Sequence, residues 1–155
     1  MKLRTKELIL CALFCALTAV GAQLTIPIPY GAITLQLLFM LLAGLMLPPL
    51  MSFLSMAVYV LLGLVGAPVF AGFSGGFSSI TSPTFGFVIG LALSAPLISA
   101  LFRALKKRWK LFPAALVAGL AGILVTYLCG AVYGYFVMTL VLTKEVTLWF
   151  ILWNW

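Results

Sequence analysis

From residue 8 to residue 102 the chain carries no charged side chain. Within that length, near-continuous apolar runs occupy residues 8–26, 33–47, 50–65 and 83–102, and another follows at 111–142. A run of roughly 20 apolar residues is long enough to cross a bilayer as a helix. The breaks between runs are equally plain. Residues 25–31 hold two prolines and a glycine, which forbid regular helical hydrogen bonding. Pro48-Pro49 separates the second run from the third. Residues 66–82 turn to Gly, Ser, Thr and Pro, and Pro83 stands well for a helix start. Pro96 is expected to kink the fourth span, and the fifth is too long to cross untilted, at about 1.5 Å per residue. The pattern predicts an all-α polytopic membrane protein, one domain over residues 1–155, with about five spans and the start of a sixth.

Composition agrees. The chain is 65% hydrophobic and 7% charged, against about 45–50% and ~25% for a soluble domain. Too little polar surface remains to cover such a core in water, so the solvent is lipid. The net charge of +7 is gathered at Lys2, Arg4 and Lys6 and again at residues 103–110. Two basic clusters bracketing apolar spans follow the positive-inside rule. They place the N-terminus and the 103–110 loop in the cytoplasm. Anionic lipid is the natural secondary partner of these cations, and no basic groove points to nucleic acid. With both clusters inside, residues 25–32, 66–82 and 143–145 fall together on the outer face, where they would frame a mouth for a ligand.

The chemistry available is narrow. There is no His, and Glu7 and Glu145 are the only acids. Acid–base pairs, a nucleophile triad and a metal-bound water all lack their parts, so no catalytic or metal residue is expected. No phosphate-binding Gly-rich loop is present, and ATP hydrolysis would belong to other subunits. Cys11, Cys15 and Cys129 sit in apolar runs and read as small packing residues. A cleavable leader is the rival to a retained first span at residues 8–26. Its small residues Ala12 and Ala16, spaced Ala-x-x-x-Ala, favour a helix that another helix approaches closely in lipid.

What remains is a binder. Non-helical backbone at membrane depth is tolerated where protein buries it or where it lines a cavity. Gln36 is one of few amides and needs a partner, since burying one unpaired costs a few kcal/mol. Candidate contacts are Thr34, Gln36, the Gly75-Gly76 backbone and Thr84. Rings from Tyr30, Phe70, Phe73, Phe85 and Phe87 would supply apolar walls.

These residues carry a resemblance. Ile33-Thr34-Leu35-Gln36 follows a proline-rich break. Leu61-Leu62-Gly63-Leu64-Val65-Gly66-Ala67-Pro68-Val69-Phe70-Ala71-Gly72 comes next, then Gly75-Gly76, Pro83-Thr84 and Gly86. In order and spacing the set resembles BioY, the biotin-specific S component of energy-coupling factor (ECF) transporters, over essentially the whole chain. The resemblance implies a six-helix S component in a bacterial or archaeal cell membrane. It would capture biotin outside and work with a transmembrane coupling protein and two ATPase subunits, without a cofactor of its own. In related S components an Ala-x-x-x-Ala motif on the first helix docks the coupling protein, and Ala12 and Ala16 match it. Two features depart from the family. Its usual Gly-Pro-Thr-Gly-Gly-Tyr reads Ser82-Pro83-Thr84-Phe85-Gly86-Phe87 here, with Phe85 in a glycine's place. The last helix of the family, with Pro-Gly-Asp and then Lys as expected polar partners for biotin, would follow Trp155. Other ligands of vitamin size, and a purely structural membrane subunit, are the alternatives to biotin capture.

Overall fold

The computed structural model describes residues 5–28 and 31–140. Five α-helices stand among them: α1 (Thr5–Gln23), α2 (Gln36–Met46), α3 (Pro49–Val65), α4 (Phe85–Leu105) and α5 (Leu111–Leu140). Between α1 and α2 lies a two-stranded antiparallel hairpin, β1 (Thr25–Ile28) with β2 (Gly31–Thr34), which pairs Thr25 with Thr34 and Ile28 with Gly31. The prolines of the 25–31 break exclude helix but not pairing, because both strands of a lone hairpin are edges and Pro27 needs no ladder donor there. The hairpin therefore replaces the irregular segment expected from sequence. It takes up residues 33 and 34, so α2 begins at Gln36 rather than at 33.

By length and apolar composition α1, α4 and α5 can each cross a membrane, while α2 and α3 are shorter apolar helices of 11 and 17 residues. The five spans read from sequence thus resolve into three long helices and two short ones. At 30 residues α5 is about 45 Å long, well beyond the hydrocarbon thickness. Pro96 lies inside α4, which continues through it. Pro49 occupies the first turn of α3, where its missing N–H costs nothing. Gly66, at φ +113°, closes that helix as only a residue without Cβ does cheaply, with Ala67 N–H returning to Leu62 O at 3.1 Å.

The burial pattern is that of a protein dissolved in lipid. Large apolar side chains such as Leu13, Val20, Leu61, Leu120 and Leu124 face outward. Thr18, Ser52, Ser55, Ser94, Ser99 and Thr126 are buried. Each of these hydroxyls has an internal partner, and several join helices. Ser55 Oγ donates to Cys11 O of α1 at 2.8 Å, and Ser99 Oγ of α4 to Leu47 O, just past α2, at 2.5 Å. Ser94 and Thr126 pair across α4 and α5 at 2.7 Å. Among the described residues no buried side-chain nitrogen or oxygen is left without a partner. Cys11 and Cys15 are buried packing residues on the α1 face that meets the bundle.

Helices α4 and α5 form the most extensive pair. Small residues allow it. A Cβ on Gly90 would lie 2.9 Å from Thr126 Cα and 3.0 Å from its carbonyl oxygen, and one on Gly86 would lie 2.8 Å from Cys129 O. In lipid, where apolar contact alone gives helices little reason to associate, such close backbone approach is a main source of cohesion. Gly90→Val is therefore expected to destabilise the bundle by about 1–3 kcal/mol, seen as a lower thermal midpoint in detergent. Gly119→Ala, whose new Cβ would meet only Leu41 Cδ2 at 3.6 Å, should leave that midpoint unchanged.

Candidate functional site

At one end of the bundle the C-termini of α1 and α3 and the N-termini of α2 and α4 come together, covered by the hairpin and by residues 66–84. The antiparallel order of the helices brings this about, and it joins two of the segments expected to converge. The third, residues 143–145, lies outside the described residues, as does Tyr30. Between them is a cavity of about 820 Å³, within the range of small-molecule sites.

Its floor is a line of hydrogen bonds. Thr34 Oγ1 donates to Gln36 Oε1 at 2.9 Å, Gln36 Nε2 donates to Tyr59 Oη, and Tyr59 Oη donates to Val69 O at 3.1 Å. This line ties β2, α2, α3 and the following loop into one unit. It also answers the question raised by a lone amide in an apolar chain. Gln36 is 8% exposed and Tyr59 fully buried, and both are paired. Each terminal group of Gln36 keeps one further bonding site, a second lone pair on Oε1 and a second N–H on Nε2.

Its walls are aromatic. Phe70 stands edge-on to Tyr59 (centroids 5.6 Å apart) and to Phe85 (6.0 Å), and Phe85 leans on Tyr133 at 5.9 Å. Phe87 meets Tyr127 of α5 edge-on at 5.6 Å. The rim is hydroxylic: Ser74, Ser78, Ser79, Ser82 and Thr84 line it, and the last two bond each other at 2.8 Å. Among the described residues, no Lys, Arg, Asp or Glu lines the cavity. The site can grip a ligand by shape, ring contacts and neutral hydrogen bonds. Among the described residues it holds neither an acid–base pair nor a cluster of His, Cys, Asp or Glu able to bind a metal ion.

Seven of the eight ligand contacts expected from sequence line this cavity: Thr34, Gln36, Phe70, Phe73, Gly75, Thr84 and Phe85. Gly76 does not. Its N–H is bonded to Gly63 O at 2.7 Å and its φ is +94°, so it shapes the turn into residues 77–81. Gly75 is held so close to the turn that follows α3 that an added Cβ would lie 2.2 Å from Ala67 O. Phe85, where relatives were expected to have glycine, is buried and forms a wall. Ala12 and Ala16 are on the opposite side of α1 from its buried face and are exposed.

Sequence reasoning passed over Thr25, the serines, Thr126 and Tyr127, all of which line the cavity. The serines fall within the polar break at residues 66–82 and could have been named with it. Thr126 and Tyr127 come from the middle of α5, more than 40 residues away, and nothing local marks them.

The fold and the sequence both have known counterparts. The BioY family profile matches residues 1–154. A probable biotin transporter BioY of Pyrococcus horikoshii is 45% identical over 128 residues, covering 83% of this chain and 74% of that protein. One of Lysinibacillus sphaericus is 40% identical over 131 residues, covering 84% of this chain and 65% of its own length. The biotin transporter BioY of Thermotoga maritima is 37% identical over 125 residues, 81% of this chain and 72% of that one. The solved S-component for biotin from an ECF-type ABC transporter superposes with a TM-score of 0.83 at 24% identity, over 99% of this chain and 83% of its own. The last comparison establishes the fold.

Tyr59→Phe removes the shared member of the hydrogen-bonded floor, leaving a Gln36 N–H and the Val69 carbonyl to find new partners. The expected cost is about 1–3 kcal/mol of stability. Thermal unfolding and protease sensitivity of the 66–84 segment would check it.

Proposed function

The chain belongs to the BioY family, and on that premise we propose that it is the membrane subunit that captures biotin from outside for ECF-type, ATP-driven uptake. The family is one of transporters, not enzymes. The observation that carries the reading is the neutral, ring-walled cavity with a hydrogen-bonded amide at its floor. Biotin suits it. The ureido group offers two N–H donors and a carbonyl acceptor, which match the free lone pair and N–H of Gln36 and the hydroxyl of Thr34. The sulfur-containing ring and the alkyl tail fit between Phe70, Phe73 and Phe85, where thioether–aromatic contact is favourable. The tail carboxylate then points to the hydroxylic rim of Ser78, Ser82 and Thr84. Gly75 contributes by bringing backbone to the wall where a side chain would not fit.

Ala12 and Ala16 serve in this reading as the docking stripe for the coupling protein, which joins two ATPase subunits to the membrane pair. Their exposure on α1 leaves them open to a second helix. The positive-inside rule, applied to the two basic segments, supports a cytoplasmic N-terminus and 103–110 loop with the cavity on the outer side.

Labelled biotin should bind the detergent-solubilised chain saturably, and riboflavin and thiamine should not compete. Gln36→Leu is expected to weaken binding by about tenfold or more, since it removes the ligand's partner and leaves Tyr59 without its donor. Competition by another vitamin, or unchanged affinity in that variant, would contradict the assignment. Ala16→Leu should abolish uptake in cells carrying the coupling and ATPase subunits while leaving biotin binding by the isolated chain intact.

A further inference from the structure

Gln23, the last residue of α1, does not line the cavity, yet its side chain is committed entirely to the segment that does. Its Nε2 donates to Phe70 O at 3.1 Å and to Pro68 O at 3.3 Å, and its Oε1 accepts from Phe73 N–H at 2.9 Å. The backbone it grips is unusual. Gly72 has φ +68° and Phe73 has φ +56°, making Phe73 the one described residue other than glycine with a positive φ. A side chain in that region is crowded against its own carbonyl and persists where the surroundings hold it there. Phe73 is 71% exposed, so packing does not hold it. Tyr59 to Val69 O, Gly76 N–H to Gly63 O and Tyr133 to Ile80 O also tie the loop to the helices, but none of them reaches residues 71–73.

We propose that Gln23 is a positioning residue for ligand retention: by pinning Pro68, Phe70 and Phe73 it keeps the left-handed turn closed over the cavity mouth, and it thereby sets how long a bound ligand stays. The proposal rests on the biotin reading for its ligand but not for its geometry. Three hydrogen bonds from one amide lock α1 to the aromatic wall without touching the ligand. A ligand leaving past Phe73 has to break them. Loss of the clamp acts on the dissociation rate, and only weakly on the stability of the helical bundle, because none of the three bonds joins two helices.

The test compares the full chain with Gln23→Leu, Gln23→Glu, Phe73→Gly and the Gln23→Leu/Phe73→Gly double variant. Dissociation of radiolabelled biotin is followed after an unlabelled chase, and hydrogen exchange of residues 68–75 is followed in the ligand-free protein. Gln23→Leu should speed dissociation about tenfold, corresponding to one or two lost hydrogen bonds, and should speed exchange in 68–75 while α3 and α4 are unchanged. Gln23→Glu retains the acceptor for Phe73 N–H but sets a second carboxylate oxygen against the Pro68 and Phe70 carbonyls, and should speed dissociation at least as much as Gln23→Leu. On the Phe73→Gly background, where the turn needs no restraint, Gln23→Leu should add less than about twofold. Unchanged exchange in Gln23→Leu would overturn the proposal, as would additive effects in the double variant. So would faster exchange throughout the bundle, which would make Gln23 a general stabiliser. Failure of the wild-type chain to bind biotin would overturn the functional reading instead, and the exchange comparison would still decide the clamp.

Discussion

In hydrocarbon an amide or hydroxyl has no water to turn to, so each must find a partner in the protein or face a ligand. The run from Thr34 through Gln36 and Tyr59 to Val69 O is where that constraint shapes this molecule most. Four segments are joined there because their polar groups satisfy one another. Tyr59 is fully buried as the hub, and Phe70 packs on its ring. The hairpin, the start of α2, the end of α3 and the long loop are thereby fixed around one space. Polar pairing here both holds the fold together and leaves unsaturated bonding capacity where a ligand would sit.

The remaining bundle is a closely packed frame. Glycines on α4 and α5 bring those helices to backbone contact, and Ser94–Thr126 and Ser99–Leu47 fasten α4 to its neighbours. The cover of the cavity is built differently, from two short 3₁₀ segments and connecting backbone held by bonds from Gln23, Tyr59 and Tyr133 and by Gly76 N–H to Gly63 O. A closely packed frame and a cover held by a few bonds is a sensible division for a protein that must accept and release a small molecule.

Much of this was legible from residue order alone. Lipid as solvent followed from the uncharged stretch, and the importance of residues 66–87 followed from Gly, Ser and Pro at a place where hydrocarbon tolerates them only around a cavity. Gln36 stood out because an amide is conspicuous among leucines. The hairpin was not legible, since Pro27 and Pro29 speak against helix without saying what replaces it. Gly75 and Gly76 looked alike in sequence, and only their surroundings separate a cavity wall from a turn. Gln23 was missed because it ends an apolar run, and its partners lie 45 to 50 residues on. Thr126 and Tyr127 reach the cavity through the packing of α5 on α4, which no local pattern encodes.

A structure of the full chain with biotin bound addresses the central claim most directly. The account predicts the ureido ring within hydrogen-bonding distance of Gln36 and Thr34, its bicyclic body between Phe70 and Phe85, and the tail directed to the rim of Ser78 and Ser82. Biotin lodged elsewhere, or bound in this cavity with Gln36 still facing only Thr34 and Tyr59, would contradict it.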